Sequence, residues 1–244
     1  MREYFYNIFH LNSSLSKKII TRLNFTYVLI YPILKKQIKS KNMSDILDIG
    51  CGVGTISLLL ASWGNKVEGI DISSIAIDSC KNSAKLLNLE KNINFKQFDF
   101  KDYKENKKFD FIICLEVIEH LENDREALQK MFTFLKPSGK LIVSTPSKNA
   151  PLFRLGYTRN FDKRVGHLRR YNLEELQKKI EDAGFKILES YKKEGIIRNF
   201  LFLNPVVGKF IRFIRGPITY FVTFIDNIAV KIFGESDLIL VAEK

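Results

Sequence analysis

From Asp45 onward the chain alternates short apolar runs with longer amphipathic stretches. Ile46, Leu47 and Ile49 make the first run, read as a buried strand Asp45–Ile49 and followed by a helix reaching Trp63. Lys66–Asp71, Ile93–Phe98 and Phe109–Cys114 read as the next three strands, the last continuing into Leu115–Leu121. Ala127, Leu128, Met131, Phe132 and Leu135 mark one face of a helix over Glu126–Leu135. Lys136–Gly139 is a turn, and Lys140–Thr145 is strand five. Asn172, with Glu175 three residues on, starts a helix that Gly184 ends. Phe185–Tyr191 and Asp237–Ala242 complete the strands. Strands alternating with helices predict a doubly wound, mostly parallel sheet in one α/β domain.

The flanks follow other patterns. Residues 1–42 read as a helical cap, with Ser13 and Ser14 capping a helix through Lys17, Ile19, Ile20 and Leu23. A second apolar run, Phe25–Leu34, is interrupted by Pro32 and ends in Lys35, Lys36, Lys39 and Lys41. Residues 43–191 form the core, and residues 192–236 form an apolar, basic helical insert before the last strand at 237–244. Within the insert Lys209, Arg212 and Arg215 lie three apart, and Ile218–Phe233 is apolar outside a narrow polar stripe (Thr219, Thr223, Asn227, Lys231) and Asp226. No stretch offers the ~20 apolar residues of a spanning helix, so the insert is expected to pack as a lid or dimer contact, or to lie in a membrane interface.

Charge separates the flanks from the core. Of the net +12, residues 1–45 contribute +6, residues 46–150 contribute zero, and residues 151–190 and 191–244 contribute +3 each. Basic flanks on a neutral core suit an anionic membrane surface, a nucleic acid or an acidic substrate, and equally a solvated lysine-rich surface. Three scattered cysteines, Cys51, Cys80 and Cys114, argue for a reducing compartment and against a disulfide framework or a zinc site. No secretory signal pattern opens the sequence, so the expected location is cytoplasmic, with peripheral attachment to the inner face of the membrane left open.

The chemistry gathers at Asp48-Ile49-Gly50-Cys51-Gly52-Val53-Gly54, where a strand gives way to a tight turn and a helix. Glycine reaches backbone angles closed to other residues and lets a ligand lie against the main chain. The spacing lacks the third glycine of the dinucleotide fingerprint, and Asp48 would repel a pyrophosphate. A ligand with hydroxyls and a cationic group fits better. Asp71, ending the second strand 23 residues after Asp48, is placed to accept hydrogen bonds from ribose hydroxyls. As a surface acid it would merely cap the next helix, a task Ser73 or Ser74 could take over.

The stretch resembles motif I of the class I S-adenosylmethionine-dependent methyltransferases, acidic-x-Gly-x-Gly-x-Gly, and the likeness runs from about Asp45 to Tyr191. It implies a Rossmann-like seven-stranded, mostly parallel sheet, S-adenosyl-L-methionine as cofactor and a helical cap over it. It implies cofactor contacts from Asp48, Gly50, Cys51, Gly52, Gly54, Asp71 and Ile72. It also implies that Asp99 meets the adenine amino group and Phe100 a ring nitrogen, with Asp102 as the competing acid. Leu135-Lys136-Pro137-Ser138-Gly139 is a further, structural hallmark. The fourth strand lacks the Asn-Pro-Pro-Tyr turn of DNA and protein-amide methyltransferases. Its Glu116-Val117-Ile118-Glu119-His120 instead resembles the small-molecule and quinone-type enzymes.

On one helical turn, Glu116, Glu119 and His120 would share a face. Three readings stay open: His120 as general base, the trio as an incomplete metal shell, or a structural role with Glu116 near the cofactor. No metal is assigned. The basic, aromatic loop Pro146–Tyr171 supplies a second candidate, His167, and Arg169 or Arg170 as partners for a substrate anion unless internal salt bridges hold them. The resemblance implies methyl transfer to a small-molecule or lipid-like acceptor, at oxygen. An RNA methyltransferase and a non-catalytic binding protein of the same fold are the alternatives. A homodimer and an anionic membrane are further partner candidates, and nucleic acid is the weaker one.

Overall fold

The computed structural model describes residues 24–39, 43–204 and 216–244, with residues 3, 6, 7, 19–21 and 207 also placed. Ser13, Ser14, Lys41, Lys209, Arg212 and Arg215 lie outside the described residues. Seven strands form one sheet: β1 (Asp45–Ile49), β2 (Lys66–Asp71), β3 (Ile93–Gln97), β4 (Phe109–Leu115), β5 (Leu135–Pro146), β6 (Lys186–Lys193) and β7 (Asp237–Glu243). Their order is β3-β2-β1-β4-β5-β7-β6. All pairs are parallel except those of β7, which runs antiparallel to both neighbours. The predicted seven-stranded, mostly parallel α/β sheet is the one observed.

The helices fully within the described residues are α1 (Tyr31–Ile38), α2 (Thr55–Ser62), α3 (Ser74–Leu86), α4 (Asp124–Phe134), α5 (Pro151–Arg154), α6 (Arg159–Val165), α7 (Leu173–Asp182), α8 (Ile196–Leu203) and α9 (Pro217–Phe233). Period-two alternation sends Ile46 to a core shared with α1, α2 and α3, and Leu47 and Ile49 to a core shared with α4 and α7. The capping box read at the start of α7 is present: Glu175 N–H donates to Asn172 Oδ1 at 2.8 Å and Asn172 N–H to Glu175 Oε2 at 3.2 Å.

Two local expectations need correction. The turn at Lys136–Gly139 is a bulge inside β5, where Phe109 pairs with Leu135 and Phe111 with Lys140. Ser138 takes a left-handed backbone there, and a Cβ on Gly139 would sit 2.8 Å from Lys136 O. The chain at Glu116–His120 is not an α-helical turn either. Glu116 has φ +56°, and only Ile118–His120 coil, as a 3-10 turn. The order of strands changes direction between β1 and β4, and at such a switch point the carboxyl ends of the strands leave a crevice.

Candidate active site

A cavity of about 620 Å³ occupies that crevice and is bordered by the glycine turn, the ends of β2, β3 and β4, the cap and the insert. The turn itself is dictated by sterics. Gly50 (φ +66°) and Gly54 (φ +78°) hold left-handed angles, and a Cβ would meet Val117 at 2.4 Å or Cys80 Sγ at 2.8 Å. Gly50, Cys51, Gly52, Ile72 and Asp48 all border the cavity, whereas Gly54 lies behind them, packed on Cys80 and Phe95. Asp48 is buried and bonded to Ser57 Oγ on α2, and burial pushes its carboxyl up to about 7 despite that bond. The Cys51 thiol is raised by its contact with Cys80 and by burial, and all three cysteines are free.

Ser73, not Asp71, caps α3, accepting Ala76 N–H at 3.2 Å. One Asp71 oxygen accepts Gly52 N–H at 2.9 Å and the other Ser73 N–H at 2.8 Å. Each carboxylate oxygen keeps a second lone pair, and the residue borders the cavity. At the end of β3, Asp99, Phe100 and the unforeseen Phe98 line the same wall, while Asp102 does not. Phe98 is 42% exposed, an aromatic face left open toward the space beside Asp99. The cap reaches this wall: Asn7 Oδ1 accepts Ser73 Oγ at 2.6 Å, and Glu3 accepts Gln97 Nε2 at 2.8 Å.

Beyond Val117 the cavity becomes acidic. Glu116, Glu194 and Asp237 line it together with Arg198 and Asn199 of α8. Burial raises the carboxyls of Glu116, Glu194 and Asp237, and the Glu116 charge raises Asp237 further. Ser144 Oγ donates to Glu116 at 2.5 Å, and Asn199 Nδ2 to Glu194 at 3.1 Å. Glu116 and Glu194 both sit at φ +56°, a backbone that non-glycine residues adopt only where surrounding structure enforces it. Arg198 joins insert to cap: it donates to Phe25 O at 2.6 Å and lies 3.9 Å over the Phe25 ring. Sequence reasoning missed Glu194, Arg198 and Asp237, because only the folded insert brings them to Glu116.

His120 and His167, read from separate stretches, stand together with ring centroids 4.9 Å apart, and both line the cavity. His120 Nδ1 faces Gly166 O at 3.0 Å, which assigns the proton to Nδ1 and the lone pair to Nε2. His167 Nδ1 faces Asp162 Oδ1 at 2.9 Å, with the same consequence. Both Nε2 atoms turn toward Glu119 Oε1, each at 3.8 Å. Glu119 is fully buried, its carboxyl raised by burial and by the Glu116 charge. Its Oε2 accepts Thr145 Oγ1 at 3.1 Å, while Oε1 has no hydrogen-bond partner. Glu119, His120 and His167 each offer one donor atom, all within 4.8 Å of one another, and could hold a divalent cation. That set differs from Glu116, Glu119 and His120, the trio that helical spacing would have put on one face and that one of the three open readings took as an incomplete metal shell.

Arg169 and Arg170 of the loop are both engaged by carboxylates of the chain, and Arg170 also borders the cavity. Arg169 pairs with Asp124 at 3.1 Å, and Arg170 pairs with Asp162 at 2.6 Å and stacks on Phe153. Burial opposes ionisation of Asp162, but bonds from His167 and Arg170 win and hold its carboxyl down at about 2. The internal salt-bridge clamp is therefore what these residues build.

Comparison with known proteins agrees with this geometry. The methyltransferase domain family matches residues 22–190. The ubiquinone biosynthesis O-methyltransferase of Rickettsia canadensis is 38% identical over 112 residues, 46% of this chain and 47% of that protein. The one from Coxiella burnetii is 36% identical over 125 residues, covering 50% and 53%. The alignments thus span about half the length of these curated relatives. Among solved structures, the N-methyltransferase NodS from Bradyrhizobium japonicum, in complex with S-adenosyl-l-homocysteine, superimposes with TM-score 0.65 at 16% identity, covering 99% of this chain and 97% of that one. Magnesium protoporphyrin IX methyltransferase from Synechocystis, also with bound S-adenosyl-l-homocysteine, gives 0.59 at 19%, covering 90% and 81%. With a matched span of this length, the glycine turn and the sheet order in agreement, the chain belongs to the methyltransferase domain family.

Proposed function

We propose that the protein transfers the methyl group of S-adenosyl-L-methionine to a hydroxyl oxygen of a small-molecule or lipid-like acceptor. The observation that carries this reading is one cavity with two chemically distinct ends, a glycine-and-carboxylate end fit for an adenosine and a histidine-and-carboxylate end fit for a hydroxylated ring. The relatives' names point to a quinone-type acceptor.

The donor set fits the cofactor: Asp71 offers two open lone pairs, and the positive-φ glycines leave backbone free of side chains. Asp71 holds the ribose hydroxyls, Asp99 and Phe100 the adenine, with Gly50, Cys51, Gly52 and Ile72 against the rest. When bound, the cofactor supplies an electrophilic methyl on a sulfonium. The protein's work is to align the acceptor oxygen with it, since placing two reactants in register supplies much of a methyl-transfer rate. His167 accepts the hydroxyl proton at Nε2, while Asp162 holds Nδ1–H and stabilises the resulting cation. His120, in the matching tautomer, stands beside it as the second proton carrier. Phe25, Leu29, Ile30, Phe202 and Leu203 surround the apolar part of the acceptor and exclude water.

The orphaned Glu119 Oε1 favours a second reading, in which Glu119, His120 and His167 hold a divalent cation that orients the acceptor oxygen. Incubation with S-adenosyl-L-methionine and a panel of catechols and quinols, followed by mass spectrometry, tests the function. An O-methylated product with S-adenosyl-l-homocysteine supports it, and turnover confined to RNA overturns it. Loss of turnover in chelator with rescue by one cation favours the metal reading, and full turnover in chelator favours the base.

A further inference from the structure

Helix α9 is folded inside out. Its inner face carries Thr219, Thr223, Asp226 and Ala229, of which Thr219 and Asp226 are fully buried. Asp226 accepts Gly195 N–H at 2.7 Å and Arg198 N–H at 3.0 Å, closing the N-terminus of α8. Its outer face carries Ile218, Phe221, Phe224, Ile225, Ile228 and Ile232, with Phe221 66%, Phe224 65% and Ile232 68% exposed. Spacings of three and four put these side chains on one stripe. Soluble proteins rarely leave so long an apolar surface to water, so something covers it.

The same spacing would suit a helix from a second copy, and charge decides between the occupants. Lys231 on α9, with Arg154, Lys192 and Lys193 around its C-terminal end, rims the apolar stripe. Lys209, Arg212 and Arg215 precede it in sequence. The acids of α9 and this rim, Asp226 and Glu235, are both buried. A second copy would bring +12 against +12 and basic rim against basic rim. An anionic lipid surface attracts the rim and takes up the stripe.

We propose that α9 is an interfacial anchor, lying in the surface of an anionic bilayer with its Phe/Ile stripe inserted and its basic rim among the headgroups. No helix among the described residues is long and apolar enough to cross a membrane. The helix lies beyond the residues 22–190 that the family matches, so the device belongs to this chain's insert. Its partner α8 lines the cavity with Arg198, Asn199, Phe202 and Leu203. On the acceptor reading given above, docking would set the acceptor chamber beside the lipid from which an apolar-tailed acceptor enters.

The test is flotation of the full chain with vesicles of phosphatidylglycerol and phosphatidylcholine, against vesicles of phosphatidylcholine alone. The expected result is binding to the anionic vesicles that falls as salt rises. Combined Phe221→Ser, Phe224→Ser, Ile228→Ser and Ile232→Ser substitutions should reduce it more than tenfold, and Lys231→Glu alone severalfold. Calorimetry with S-adenosyl-L-methionine on each variant reports the fold and the cofactor site independently of lipid, so failure of the anchor and failure of the functional reading are separable. Should the fourfold variant not fold, Lys231→Glu decides. The proposal is overturned if the chain does not float with anionic vesicles, if the variants float as well as the parent, or if the protein is a soluble dimer that the serine substitutions dissociate.

Discussion

The Asp162 carboxylate holds His167 Nδ1 at 2.9 Å while Arg170 Nη2 grips the same oxygen at 2.6 Å, so the imidazole is oriented by an anion that is itself pinned. An imidazole so held presents Nε2 to the cavity in one tautomer, as a positioned base requires. Replacing His167 by Ala should lower methyl transfer by roughly two to four orders of magnitude, the usual range for a general base. Asp162→Asn should cost less, since the ring remains but loses its anionic partner. Neither change should alter S-adenosyl-L-methionine affinity by more than about twofold. Turnover and calorimetry on the same preparations check this, and equal losses in both would reassign the pair to structure.

Acid stability follows from the same carboxylate. Asp162 is held at about 2 in the folded protein against 3.8 for the ordinary group. A depressed folded value means stability that is fully present above the unfolded pKa and lost as pH falls through the folded one. The group is mostly buried, so little of the effect is lost to solvent. Each tenfold change in proton affinity is worth about 1.4 kcal/mol, so about 2 kcal/mol should disappear between about pH 4 and pH 2. Denaturant titrations should show that loss in the parent and a flatter acid limb in Asp162→Asn.

Asp71 gives the sharpest test of the cofactor end. Its removal as Asp71→Ala takes away the carboxylate proposed to hold the ribose and also frees Gly52 N–H and Ser73 N–H. Affinity for S-adenosyl-L-methionine should fall by about 1–3 kcal/mol, the cost of losing hydrogen bonds to a charged group. Calorimetry on the folded variant measures it, and unchanged affinity would remove the ribose assignment.

The legible parts of this protein were those set by local periodicity. Ile46, Leu47 and Ile49 announce a buried strand, Asp71 announces its own place at a strand end, and Asn172 with Glu175 announces a cap, because each signal lies within a few residues. Helical arithmetic failed at Glu116 because it presumes helical angles, and that residue sits at φ +56°. The His120–His167 pair joins residues 47 positions apart through a loop without periodicity, so only the fold could bring them together. Asp226 looked like an interruption in an apolar helix. It is instead the residue that turns the helix, by capping α8. Hydrophobicity read along one helix shows how wide its faces are, and a polar contact decided which one points inward.

The two buried acids Glu116 and Asp237 carry the last prediction. Both carboxyls are raised by burial, and the Glu116 charge raises Asp237 further, so at neutral pH the fold bears a penalty for holding Asp237 in this acidic pocket. A raised folded pKa means stability that is present at low pH and declines as pH rises through the folded value. Asp237→Asn keeps a hydrogen-bond donor beside Glu116 and removes the second acid. Thermal stability at pH 7 to 8 should therefore rise, by about 2–4 °C for each 1 kcal/mol relieved in a chain of this size. If the acids recognise hydroxyls of the acceptor, the same substitution should raise the acceptor KM while leaving cofactor affinity alone, the trade of stability for function expected at a strained site. Differential scanning fluorimetry across pH, paired with acceptor kinetics, reads both halves. A stabilised variant with unchanged KM would leave the pair as structural strain, and a destabilised one would show that the Asp237 carboxyl supports the fold.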